Sequence, residues 1–179
     1  MDVKKLSLDL LNRPDKSTFL DMEKLGVEVI ADNIRSGQNI GSLFRTADAF
    51  AIHNINLIGI APTPPNKEVL KTALGATETV TWKYWDNSAD CIAALKVDGI
   101  KIIVIEQTTG SIPLNAFIPT PGERYALVLG NEVDGVSDEF IKNADLCIEI
   151  PQVGTKHSLN VSVCAGIVMW HMFSHLKTI

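Results

Sequence analysis

Tyr125-Ala-Leu-Val-Leu-Gly-Asn-Glu-Val-Asp-Gly-Val-Ser137 runs from an unbroken apolar stretch through a glycine, an amide and a carboxylate to a serine placed to cap a following helix. An apolar run with no polar alternation suits a strand covered on both faces, as in a parallel sheet flanked by helices. Working outward, similar runs occupy Val27 to Ala31, Ile55 to Ile60, Ile100 to Ile105 and Leu146 to Ile150, with a further candidate at Thr79 to Trp85. Helix-like segments fall between them at about Ile40 to Phe50, Lys67 to Leu74, Ser88 to Val97, Ser137 to Asn143 and Asn160 to Lys177. Strand and helix alternate, which predicts an α/β fold with a mostly parallel sheet flanked by helices.

The breaks at Pro62 to Pro65, Thr108 to Pro113 and Pro119 to Gly122 are too short for interdomain linkers, so residues 1–179 are expected to form a single domain. Residues 1–25 read as a helical extension, with Asp15, Ser17 or Thr18 available as caps. With 46% hydrophobic residues the chain can bury a substantial core. A net charge of −5 and a pI near 5.3 exclude a global basic field, so any nucleic-acid contact must be local. Cys91, Cys147 and Cys164 show no C-x-x-C spacing, which argues against a disulfide framework or a zinc site, and no metal is expected. Neither an export signal nor a membrane span is legible: Val161 to Phe173 is interrupted by Ser162 and His171. A cytoplasmic location follows as the expectation.

Three polar segments interrupt this pattern. Asn33 to Asp48 passes from a loop into an amphipathic helix, with Asn39 near the helix start and Arg45 among apolar neighbours; each is either a cap or surface group, or part of a site at the sheet's carboxyl edge. In Ala126 to Ser137, Gly130 lets a ligand lie against bare backbone and Glu132 is placed to pair with a cation such as Arg45, or the segment is a plain strand-to-helix loop. In Ile148 to Gly166 a Pro/Gly loop leads to Ser158 and Asn160 at the start of the last helix, where they either cap it or hold a polar ligand group.

Taken together and in order, these segments resemble the three motifs of the SpoU (TrmH) branch of the SPOUT RNA methyltransferases. They read Asn39-x-Gly-x-x-x-Arg45, then Leu-Gly-Asn-Glu-x-x-Gly-Val-Ser ending at Ser137, then Ile-Pro-x-x-Gly-x-x-x-Ser-Leu-Asn-Val-Ser ending at Ser162. Joint occurrence is far more specific than any one of them. Val133 and Gln152 depart from the residues common in that family, glycine and methionine.

The resemblance implies a deep trefoil knot over about residues 125–177, an exception to the rule that chains do not thread their own loops. It implies an S-adenosylmethionine site at Gly130, Ile150 and Leu159, with Gln107 and Thr108 in the same pocket. It also implies a reaction centre of Asn39, Arg45, Glu132, Ser158 and Asn160, in which Asn39 and Asn160 hold Arg45 and the ribose and Glu132 orients the guanidinium. The expected activity is methylation of a ribose 2′-hydroxyl of RNA, with transfer RNA favoured over ribosomal RNA because the chain is short. The family's proposed base is Arg45, yet neutralising an arginine at pH 7 costs on the order of 7 kcal/mol, so it acts either as a transient base or as an electrostatic stabiliser. The apolar excess of the last helix, with Ile167, Met169, Trp170, Met172 and Phe173, fits the homodimer of the resembled family, in which the arginine of one subunit faces the cofactor of the other. A non-catalytic RNA-binding dimer is the competing class; a dinucleotide oxidoreductase is disfavoured because no G-x-G-x-x-G follows the first strand.

Overall fold

The computed structural model describes residues 3–177; Met1 and Asp2 of the expected extension, with Thr178 and Ile179, lie outside the described residues. Seven strands form one sheet: β1 (Leu25–Asp32), β2 (Ile52–Ile58), β3 (Thr81–Trp85), β4 (Lys101–Ile105), β5 (Ile112–Pro113), β6 (Tyr125–Leu129) and β7 (Leu146–Glu149). Their spatial order is β3-β2-β1-β6-β4-β7-β5, and every neighbouring pair is parallel. The helices are α1 (Lys16–Asp21), α2 (Gly37–Ala49), α3 (Lys67–Ala73), α4 (Ser88–Val97), α5 (Asp138–Asn143) and α6 (Val161–Leu176).

The unbroken apolar runs are explained by two cores. Side chains alternate across a strand, so Tyr125, Leu127 and Leu129 of β6 enter the core beneath α2, α3 and α6, while Ala126 and Val128 enter the one beneath α4 and α5. The same split places Val27, Val29 and Ala31 of β1 on the first side and Ile30 on the second. Glu28 also faces the second side. Its buried carboxylate accepts from Asn56 Nδ2 at 2.7 Å and pairs with Arg124 Nη2 at 3.2 Å, which satisfies a charge otherwise costly to bury.

Element ends differ from the sequence reading where a local signal is weak. β2 spans Ile52–Ile58 rather than running on to Ile60, which is exposed, and β3 begins at Thr81 because Ala76–Glu78 forms a 3₁₀ turn ahead of it. Strand β5 is two residues long, below the length at which periodicity can be read. The amino-terminal extension contains a 3₁₀ turn at Leu8–Leu11 and α1, capped by Asp15, whose side chain accepts from the Thr18 N–H at 2.8 Å. Ser36, not Asn39, caps α2: its Oγ accepts from the Asn39 N–H at 3.2 Å, which puts Asn39 inside the first helical turn. Helix α6 is buried on one side only, through Ala165, Val168, Met169 and Met172. Among the described residues no helix is long and apolar enough to cross a membrane.

Candidate active site

The carboxyl ends of β4, β6 and β7 open into a cavity of about 490 Å³, the position where ligands of parallel α/β sheets bind. Its walls include Ile105 and Gln107 after β4, Gly130 and Glu132 after β6, Ile150 after β7, and Ser158, Leu159 and Asn160 ahead of α6. Thr108 lies outside the lining: its N–H donates to Ser111 Oγ at 3.3 Å and its carbonyl accepts from the same hydroxyl, closing a local turn. Gln107 reaches across instead, donating from Nε2 to the His157 carbonyl at 3.1 Å.

The three polar segments meet at this rim through a continuous relay. Asn160 Nδ2 donates to Asn39 Oδ1 at 3.2 Å, and Asn39 Nδ2 donates to Glu132 Oε1 at 2.9 Å. The Glu132 carboxylate also accepts from the Arg35 N–H at 3.0 Å and the Ser36 N–H at 3.1 Å, two of the donors that the start of α2 leaves free. Partial burial pushes the Glu132 carboxyl up, but the donors from Arg35, Asn39 and Ser36 outweigh it and hold the group below its ordinary value. Asn160 Oδ1 simultaneously caps α6, accepting from the Ser162 N–H at 2.9 Å and the Val163 N–H at 3.4 Å.

Arg45 does not join this relay. It lies six residues beyond Asn39, which on a helix turns it about 240° away. Its exposed side chain lines a separate cavity with Leu74, Gly75 and Ala76. The expected pairing of Glu132 with Arg45 is therefore absent within the chain: among the described residues the guanidinium has no hydrogen bond or ion pair, while the carboxylate is taken by α2.

Two of the motif glycines, Gly130 and Gly41, serve the chain's own packing. A Cβ at Gly130 would lie 2.1 Å from the Gly135 carbonyl carbon and 2.2 Å from the Val136 nitrogen, so the β6–α5 loop folds back over the strand tip where a ligand was expected to rest. A Cβ at Gly41 would lie 2.3 Å from the Val69 carbonyl oxygen, and its absence lets α2 and α3 touch. Ser137 stands at the start of α5, yet its hydroxyl makes no cap bond; its N–H instead donates to Asp32 Oδ2 at 2.8 Å.

Sequence reasoning missed the groups that pin the β6–α5 loop. Glu106 accepts from the Gln107 N–H at 2.9 Å and the Val136 N–H at 3.2 Å, and Asn131 donates to the Asn33 carbonyl at 2.7 Å. Asp32 and Glu106 are each a carboxylate directly after an apolar strand run, a signal that was available. Cys164 faces the same cavity, and burial, assisted by Glu106, pushes its thiol up to about 11, so it is a protonated apolar wall at neutral pH. On α6, His171 Nε2 contacts the Phe117 carbonyl at 2.7 Å and His175 Nδ1 the His171 carbonyl at 2.8 Å, and among the described residues no group of three or more metal-ligating side chains comes together.

The profile of the SpoU rRNA Methylase family matches residues 26–170, from β1 to the middle of α6. The chain belongs to that family. This SpoU chain is 37% identical over 145 residues to the 23S rRNA (guanosine-2'-O-)-methyltransferase RlmB of Neisseria meningitidis serogroup B, covering 79% of this chain and 55% of the relative. It superposes on the AdoMet-bound rRNA methyltransferase from Sinorhizobium meliloti with a TM-score of 0.80 at 26% identity, over 89% of this chain and 61% of that one. The A. aeolicus TrmH/SpoU tRNA modifying enzyme gives 0.79 at 28% identity, over 89% of this SpoU chain and 80% of that one. The SpoU chain spans 55%, 59%, 64% and 66% of the length of the first four curated relatives it matches.

Proposed function

We propose that this chain transfers a methyl group from S-adenosylmethionine to a ribose 2′-hydroxyl of RNA. The observation that carries the reading is the meeting of three segments, up to 121 residues apart, at one cavity through the relay from Asn160 by way of Asn39 to Glu132. The donor set fits the cofactor. Ile105, Ile148 and Ile150 provide apolar walls for a base, and Glu106, Glu132 and Glu149 bring carboxylates to a cavity that would hold a cation. When bound, S-adenosylmethionine supplies a methyl carbon attached to a positively charged sulfur.

Gly130, Ile150 and Leu159 hold the cofactor, with Gln107 fixing the His157 backbone beside it. Ser158, Asn39 and Asn160 face the cofactor edge and the ribose, and Glu132 locks the start of α2 rather than the arginine. Arg45, exposed and without a carboxylate partner among the described residues, binds substrate phosphate and stabilises the negative charge that develops on the ribose oxygen as its proton passes to water. Holding the ribose oxygen in line then supplies much of the rate.

Arg45 stands outside its own chain's cavity, which supports a homodimer whose second copy brings an arginine to each site. The surface for it is α6, where Val163, Ile167 and Trp170 are 52%, 39% and 51% exposed at helical spacing. Light scattering should give a dimer that Trp170→Glu dissociates; a monomer at micromolar concentration removes the shared site. Transfer RNA is the first substrate to test, since the likeness covers more of the A. aeolicus tRNA modifying enzyme than of the Neisseria rRNA relative. We place the enzyme in the cytoplasm, as one domain with a threaded carboxyl-terminal region. Calorimetry with S-adenosylmethionine, then ribose-methylation mapping of total RNA with and without the protein, tests the whole reading. Absent cofactor binding refutes it and favours an RNA-binding dimer.

A further inference from the structure

Two neighbouring cavities of about 410 and 420 Å³ share Lys16, Asp48 and Thr79 in their walls; the second is lined by Arg45, the first by α1 and the end of α6, and together they outline a trough. Most of its far wall comes from outside the SpoU-matched residues 26–170: Arg13, Lys16, Phe19 and Met22 before them, Phe173 and Lys177 after. Residues flanking the matched core therefore build most of the cavity next to the one that Arg45 lines.

Its charges are unequally engaged. Asp15 is held by the Thr18 N–H at 2.8 Å and Ser17 Oγ at 2.9 Å, Glu78 is paired with Lys16 at 2.5 Å, and Asp48 accepts from the Thr79 hydroxyl. Arg13, Arg45 and Lys177 have no ion pair or side-chain hydrogen bond among the described residues, so the side chains free to take a ligand are cationic although the whole chain carries −5. The floor is half-buried and apolar, and Phe19 is held in place because the Lys24 ammonium sits 3.7 Å from its ring centre. Free cations around an aromatic floor suit a single-stranded nucleic acid: the cations take phosphates and the ring takes a base face.

We propose that the trough seats a single-stranded stretch of the RNA substrate, its phosphates on Arg13, Arg45 and Lys177 and a base against Phe19. The proposal rests on the methyltransferase reading for Arg45, and it makes the termini the part of this chain that selects RNA.

The test uses the full chain and a short fluorescent single-stranded RNA of mixed sequence, titrated by anisotropy at several salt concentrations, with S-adenosylmethionine calorimetry in parallel. Arg13→Ala/Lys177→Ala should weaken RNA binding roughly tenfold and lower the salt slope by about 1.4, at about 0.7 per phosphate contact on a single strand. Phe19→Leu, which keeps apolar bulk, should weaken binding severalfold without changing that slope. Cofactor affinity should match wild type in both variants. If wild type binds cofactor and RNA but the double variant matches it in affinity and slope, the trough is not the RNA seat. An RNA duplex that competes equally well overturns the single-strand assignment. If wild type binds no cofactor, the methyltransferase reading fails, whereas the RNA titrations still judge the trough.

Discussion

Asn39 and Arg45 stand six residues apart on α2, yet one is locked and the other free. The Asn39 amide is held on both sides, by Glu132 at 2.9 Å and Asn160 at 3.2 Å, whereas the Arg45 guanidinium projects from a different face of the helix, without a partner among the described residues. The difference separates two jobs. The amino end of α2 is bound into the fold and shapes the cavity at the carboxyl ends of β4, β6 and β7 in advance, and the later turn presents a cation away from that cavity.

The strongest way to break this division is Arg45→Ala. It should lower methyl transfer by about 10²–10³-fold, the usual loss when one preorganised charge stabiliser is removed. Calorimetric affinity for S-adenosylmethionine should stay within about twofold, because the side chain lies outside that cavity. Turnover at the parent rate would remove Arg45 from the chemistry.

Gly130→Ala acts on the locked half. Its Cβ would meet backbone at 2.1 Å, so the loop must shift, at a cost of about 1–3 kcal/mol. A lower Tm should come with weaker cofactor binding; unchanged values would show that the loop does not need the space. Asn160→Ala removes both the α6 cap and the link to Asn39. The cap alone is worth about 1 kcal/mol, a Tm loss of about 2–4 °C for a chain of this size.

Acid should sharpen the contrast by the smallest margin. Glu132 is held below its ordinary value, so near and below that value the unfolded chain binds more protons and stability falls with pH. The stabilisation is complete above the usual carboxylate range and is lost as pH drops through the lowered folded value. Wild type and Glu132→Gln should therefore differ in Tm at pH 7, and the gap should close as pH falls below the ordinary glutamate range and through the lowered folded value. A constant gap would mean that the charge on Glu132 contributes nothing to its hold on α2.

Legibility in the sequence followed the range of the interaction. Tyr125–Leu129 and Ser88–Val97 were read to the residue, because apolar runs and flanking caps are local signals. The carboxylates Asp32 and Glu106 went unread as site groups although each follows such a run, since a strand-tip carboxylate gains meaning only from the loop that docks on it. The packing duty of Gly130 was illegible for the same reason: a missing side chain is visible in sequence, but the Gly135 and Val136 backbone that packs against it is not.

The sequence by itself determined the parallel α/β class, the presence of three polar segments at strand and helix ends, and the apolar surplus of α6. These depend on side-chain chemistry repeated over a few residues. Only the tertiary structure decided that Glu132 meets Asn39 across 93 residues of chain and that Arg45 turns away toward a separate cavity with Leu74, Gly75 and Ala76. Sheet order sets β6 beside β1, bringing that carboxylate to the start of α2, and helical phase then carries Arg45 to another face. Both are properties of packed elements, written in no single stretch of residues.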